Sequence, residues 1–340
     1  MQSDTTIKSI NSHLSESRTF VMGVSMMVIM LFHQYFVDRA LFEPISGFGL
    51  WGVDLFMFVS GFGCAHSLMK GAGQGHWIRQ FYWRRATRIM PAALIAGWFM
   101  LPFRNIVGVK DYVGMHLWYM KVIVIFYAMA PFAYILICRL KNRVWVMGSV
   151  VAMLMAIIIY VVYCIHALPF WDSWDLYNLR GRLPAFVLGM AFVLVDDGLK
   201  IRKTWWMLAA VAGVLVGEAI YLGRDGIGFS ESNFYFILPA LPMFCAVCTV
   251  LRRHMGDALV RIVEWFGKYS LELYLVHEFL FAKIGKIVPL SGGWTKLAAA
   301  FAISAASAAL LHFIAKIAVA WIGGICGKIR LGGGNGQPSA

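Results

Sequence analysis

The chain alternates long apolar runs with short polar links, and the runs have the length that a membrane helix needs. A hydrocarbon core about 30 Å thick takes about 20 mostly apolar residues per helix. That ruler predicts spans over 19–37, 47–68, 88–103, 116–137, 144–165, 180–197, 204–222, 233–251, 268–288 and 295–325. The fold class expected is therefore all-α, a polytopic integral membrane protein built as a bundle of about ten transmembrane helices. Residues 1–17 are polar and are expected to form a cytoplasmic N-terminal arm, residues 18–327 one integral-membrane domain, and residues 328–340 a flexible C-terminal tail. The first run ends in His33, Gln34 and Tyr35 with no small-residue cleavage site, so it reads as an uncleaved span and not as a signal peptide. No link is long enough for a soluble domain, and no repeat marks an array. The Gly71 to Gly75 stretch lacks the strand and helix of a nucleotide fingerprint and reads as a turn.

Composition agrees: of 340 residues, 60% are hydrophobic and 14% charged, more apolar surface than one soluble core hides. A net charge of +13 would suggest nucleic acid in a soluble chain, but here its position matters more than its sum. Basic residues gather in alternate links: Lys70, Arg79, Arg84, Arg85 and Arg88; Arg139, Lys141 and Arg143; Lys200, Arg202 and Lys203; Arg252, Arg253, Arg261 and Lys268. The intervening links are poorer, with Arg39, then Arg104 and Lys110, then Arg224, although Lys283, Lys286 and Lys296 run against the pattern. The positive-inside rule then puts both termini in the cytoplasm, which requires an even number of spans. Membrane lipids are the expected surroundings, and no nucleic-acid partner is expected. The six cysteines have no metal-ligand spacing with histidines, and Cys245 and Cys248, a C-x-x-C inside an apolar helix, read as packing residues; no metal is expected.

Ionisable groups in a bilayer span cost about 2.5–3.5 kcal/mol each on insertion scales, so each one is a functional candidate. His33 follows the apolar run "FVMGVSMMVIMLF" and stands about 22 Å from Arg18 along a helix, near its outer end. Asp54, in "GLWGVDLFMFVSGFG", falls about two turns into the same layer of the next span. A carboxylate accepting from one ring nitrogen would fix the histidine tautomer and leave the other nitrogen to take a proton from a hydroxyl. The spacing equally suits a His33 in the headgroup region beside Tyr35 and an Asp54 paired with Arg39 or Arg180. Arg84, Arg85 and Arg88 enter a helix from the cytoplasmic side, with Arg84 and Arg88 on one face, and suit either phosphate binding or anchoring to anionic lipid. Further polar groups are His116 with Trp118, Arg180 with Arg182, and His277 with Glu278, the last two close to the middle of their span. Glu272 and Lys268, four apart, read as a local helix pair.

Six segments, in order, resemble the integral-membrane acyltransferase type 3 family: "LFH" ending at His33, "GVDLFMFVSGF" from Gly52, "FYWRRATRIMPA" from Phe81, "HLWYM" from His116, "RLPAFVLGM" from Arg182, and "FGKYSLELYLVH" ending at His277. The resemblance implies a ten-helix bundle in a bacterial cytoplasmic membrane that takes an acyl group from acetyl-CoA or another acyl-CoA. The acceptor it implies is a hydroxyl of an extracytoplasmic glycan or lipid-linked glycan. It implies His33 as the catalytic histidine, Asp54 as its orienting acid, and Arg84, Arg85 and Arg88 as contacts to the CoA phosphates. Ser60 and Gly61 fall in the second-helix motif and would line the acyl path, with Gly63 and Gly189 as further small residues. One departure stands out. Many members carry an arginine eleven positions before the histidine; here that position is Met22, and the basic residue upstream is Arg18.

The function expected is an O-acyltransferase, with an acetyl group as the expected cargo and Arg180 or Arg182 placed to meet the oxyanion. The alternative is a proton-coupled transporter or flippase using His33, Asp54, His277 and Glu278, although the paired broken helices common in such proteins are not evident. A non-catalytic assembly subunit is a third class, which would bind no acyl-CoA.

Overall fold

The structure is a computed structural model that describes residues 7–34, 36–37, 39–106, 118–140, 173–194, 238–287 and 292–332. Among these residues it is all-helical: α1 (Ile7–Phe32), α2 (Arg39–Gly71), α3 (Trp77–Ile106), α4 (Trp118–Leu140), α5 (Ser173–Leu194), a 3-10 turn (Leu238–Ala240), α6 (Leu241–His254), α7 (Asp257–Lys268), α8 (Ser270–Ile287) and α9 (Gly293–Gly332). The expected spans 144–165 and 204–222 lie outside the described residues, as does His116. Among the described residues, four stretches are long and apolar enough to cross a membrane: Leu14–Phe32, Trp51–Gly71, Trp118–Arg139 and Gly293–Trp321.

Two features depart from expectation. α1 begins at Ile7, so most of the polar arm continues the first helix, with Leu14 and Ser17 buried. Polar residues there do not stop a helix, because nothing between Ile7 and Arg18 is a glycine or proline. α7 was not anticipated as a separate helix: Met255 and Gly256, both extended, break the run after α6, and the chain restarts at Asp257.

α2 is the hub. Its apolar window is 83% buried, whereas the windows of α4 and α9 are 33% and 28% buried and carry exposed Phe132, Phe313 and Trp321. Such large apolar side chains at the periphery suit a surface solvated by lipid. α5 lies along α2 in the same direction, and glycines set how closely. A Cβ on Gly61 would collide with the Phe186 carbonyl, and one on Gly189 with the Phe58 carbonyl. This reciprocal contact lets the two backbones touch, the role small residues play between membrane helices. Gly23 and Gly267 do the same for α1 against α7: their faces are filled by the carbonyls of Val263 and Thr19. The turn expected at Gly71 to Gly75 is present, with Gly73 at φ 90° and His76 at φ 63°.

Candidate active site

α1 ends where its chemistry begins. The Gln34 carboxamide oxygen accepts from the backbone N–H of Phe36 and of Val37, each at 3.0 Å, which closes a tight turn immediately after His33. His33 itself is still tied to the helix, its N–H bonding to the Ile29 carbonyl at 3.2 Å and its Nδ1 lying 3.0 Å from the same oxygen. The ring projects onto α8. His33 Nδ1 is 3.2 Å from Nε2 of His277, and the two rings are tilted with centroids 5.1 Å apart. His277 is fully buried, and its Nδ1 lies 2.9 Å from the Leu273 carbonyl and 3.1 Å from that of Tyr274. The carboxylate near His33 is Glu278, whose Oε1 is 3.9 Å from His33 Nε2. His33 and, 244 residues further on, His277 with its neighbour Glu278 thus form one cluster.

Asp54 is elsewhere. Its Oδ2 is bound to Nη1 of Arg182, and both residues are buried, at 2% and 0% exposure. The orienting acid expected for His33 is therefore committed to α5. The physical reason is charge: a buried carboxylate goes to the nearest guanidinium, and the α2–α5 seam supplies one. Arg182, expected near an oxyanion, is spent on the same pair. The structural ion pair that the spacing suited is formed with Arg182; the side chains of Arg39 and Arg180 lie outside what is described.

The arginine cluster of α3 divides three ways. Arg88 binds Glu272 of α8 through both amino groups, Nη1 to Oε1 at 2.6 Å and Nη2 to Oε2 at 3.3 Å. Glu272 is fully buried and also meets His312 Nδ1 of α9 at 2.8 Å, so it is the centre of an interhelical network and not the local partner of Lys268. A carboxylate with no exposure takes the guanidinium and imidazole that surround it in preference to an exposed lysine. Arg85 turns inward, donating to the Gly63 carbonyl at 3.4 Å and stacking over Phe81 and Tyr127 at 5.3 and 5.0 Å. Arg84 is exposed. Arg18 reaches the same place as Arg85: its guanidinium occupies the space a Gly63 side chain would need, and the two cations repel one another. Its Nε has no hydrogen-bond partner among the described residues. Two adjacent guanidinium groups of this kind have the chemistry to hold an anion.

A family model described as "Acyltransferase domain" matches residues 20–322. The chain belongs to the acyltransferase type 3 family. Comparison with curated proteins and with solved structures gave no match.

Within this acyltransferase domain, Ser60 is buried and hydrogen-bonded to Tyr119 and Tyr127 of α4, next to the Arg85 guanidinium. Gly61, expected along an acyl path, is closed by the Phe186 carbonyl and serves the helix contact. Trp118 is half-buried at the start of α4, edge-on to Tyr119. His33, His277 and Glu278 each offer a ligand atom within 4.8 Å of the others, a grouping of the residue types that bind zinc-like cations. Sequence reasoning missed the Asp54–Arg182 pairing although a signal was present. Asp54 precedes Gly61 by seven residues, and Arg182 precedes Gly189 by seven. Seven residues return to the same helix face, so each charge shares a face with the glycine that brings the helices together.

Proposed function

We propose that the protein is an acyl-CoA-dependent O-acyltransferase that moves an acyl group, acetyl by preference, to a hydroxyl of an extracytoplasmic polysaccharide or its lipid-linked precursor, with His33 as general base. The observation that carries this reading is the His33 cluster: an imidazole held at a helix end, against a second imidazole and a carboxylate, in a chain of an acyltransferase family. A base so placed takes the hydroxyl proton as the oxygen attacks the thioester carbonyl, a contribution of about 10² to 10⁴ in rate.

The donor enters from the cytoplasmic side in this reading, with its phosphates on Arg18 and Arg85 and Arg84 at the rim. Arg18 and His33 stand about 22 Å apart along α1, the distance that the pantetheine arm of the donor has to bridge. Arg88, bound to Glu272, supports α8 and does not meet the donor directly. A proton-transport reading would use the same three side chains of the His33 cluster, and the family match favours acyl transfer.

The test is release of free CoA from acetyl-CoA by the purified protein in lipid vesicles, with candidate glycans supplied, comparing wild type with His33→Ala at equal folded amounts. Turnover in the wild type that disappears in the variant is the expected result. Equal turnover in both removes His33 from the role of base, and no turnover in either on any acceptor removes the acyltransferase reading.

A further inference from the structure

The two histidines of the cluster have a proton arrangement that their hydrogen bonds define. His277 Nδ1 lies 2.9 Å from one backbone carbonyl and 3.1 Å from another, and a carbonyl oxygen only accepts. Nδ1 of a neutral His277 therefore carries the proton, and Nε2 is left with a lone pair. That lone pair faces His33 Nδ1 at 3.2 Å, and the Ile29 carbonyl, again an acceptor, lies 3.0 Å from the same nitrogen. Both neighbours of His33 Nδ1 are acceptors, so Nδ1 carries the hydrogen. The lone pair of His33 is then on Nε2, on the side of Glu278.

We propose that His277 is a positioning residue for the proposed base: its Nε2 accepts from Nδ1–H of His33, which fixes the tautomer in which Nε2 of His33 takes the substrate proton, while Glu278 stabilises the imidazolium that results. The inference rests on the acyltransferase reading. In the step, the acceptor hydroxyl gives its proton to His33 Nε2 and its oxygen forms the new C–O bond to the thioester carbonyl. The C–S bond then breaks, and the leaving thiolate takes the proton back from Nε2, so that neutral CoA thiol and the ester are the products. Between those events His33 is a cation with two donors. Nδ1–H stays on His277 Nε2 and the Ile29 carbonyl, and Nε2–H faces the Glu278 carboxylate, 3.9 Å away in the resting arrangement. A neutral imidazole thus takes the orienting place that a carboxylate fills in many triads, and the carboxylate is on the other side of the ring.

Two variants separate positioning from packing. His277→Leu keeps the bulk and deletes the acceptor, whereas His277→Gln keeps an acceptor oxygen near the place of Nε2. The wild type and both variants are reconstituted in lipid and measured for kcat and for the KM of acetyl-CoA, and the tautomer of His33 is read from histidine ¹⁵N spectra assigned with His33→Ala. His277→Leu is expected to lower kcat about 10²-fold with the KM for acetyl-CoA unchanged, and His277→Gln to recover most of the loss. The spectra are expected to show Nδ1-protonated His33 in the wild type and a shift towards the Nε2-protonated form in His277→Leu. Glu278→Gln should lower kcat about tenfold without changing the resting tautomer.

Full kcat in His277→Leu, or Nε2-protonated His33 in the wild type, overturns the proposal. So does a chelator that abolishes activity together with a zinc ion that restores it, because the same three side chains would then be metal ligands. If His277→Leu does not fold, His277→Gln and the wild-type spectra decide. The spectra also remain decisive if no acyl transfer is found, so failure of the tautomer assignment is distinguishable from failure of the acyltransferase reading.

Discussion

Replacing Asp54 by leucine would remove the carboxylate that the Arg182 guanidinium binds in the seam between α2 and α5. Arg182 is 0% exposed and its partner 2%, so neither charge can turn to solvent when the other is removed. Loss of one partner of a buried pair costs about 3–5 kcal/mol, most of it the penalty of the uncompensated survivor. Asp54→Leu and Arg182→Met should each carry that penalty, lowering the folding equilibrium constant by about 10² to 10⁴ at fixed denaturant. The double variant removes both charges and leaves apolar side chains of similar size, so it should be more stable than either single variant. Unfolding in mixed micelles by added dodecyl sulfate, followed by tryptophan fluorescence, reads all four corners of the cycle. If the double variant loses as much as the two single losses added together, the charges do not interact and the Asp54–Arg182 pairing across α2 and α5 is wrong. The same proteins test a functional point. Asp54 is bound to Arg182 and not to His33, so the double variant should keep turnover per folded molecule; loss of turnover at full folding would return Asp54 to the catalytic machinery.

Three further outcomes follow from the same geometry. Glu272→Gln removes the charge of the carboxylate that Arg88 and His312 share, and should destabilise the fold by about 1–3 kcal/mol in the same unfolding assay while leaving the KM for acetyl-CoA near that of the wild type. Gly189→Leu forces α5 away from the Phe58 carbonyl; it should reduce the yield of monodisperse protein in gel filtration, and unchanged yield would show that the helices have room. Arg18→Ala and Arg85→Ala should each raise the KM for acetyl-CoA about tenfold with a smaller change in kcat, and Arg84→Ala less so because its side chain is exposed, as steady-state kinetics on the three proteins would show.

Much of the helical layout could be read in the apolar runs, since a helix in lipid bonds its own backbone and needs only length and hydrophobicity. α2, α4, α8 and α9 lie close to where those runs place them, whereas α7 escaped because it is short and amphipathic, with exposed Leu259, Arg261 and Ile262 on one side and buried Val263 and Gly267 on the other. At the site, His33 and His277 could be singled out one at a time, as ionisable groups in apolar surroundings. Their contact could not, because nothing local joins a helix end near the N-terminus to a helix near the C-terminus. Asp54 was harder still. Proximity along a hairpin favoured His33, while the true partner depended on how closely two glycine-bearing helices approach. Arg88 shows the converse: its position in a basic cluster suggested a ligand, and only the buried Glu272 across the interface reveals an internal partner.

α8 acts as a measuring rod. Glu272 and His277 are five residues apart on it, which on a regular helix means a rise of about 7.5 Å and a rotation of about 140°. The acid therefore faces α3 and α9, where Arg88 and His312 hold it, and the imidazole faces the end of α1. Both contacts are satisfied only at one rotational setting of the helix. Deleting a single residue between them would turn the distal half by about 100°, so His33 would lose its neighbour while the Glu272 network stayed intact. The phase of one helix thus sets the register between the arginine cluster of α3 and the histidine of α1, two elements that have all of α2 between them in the sequence.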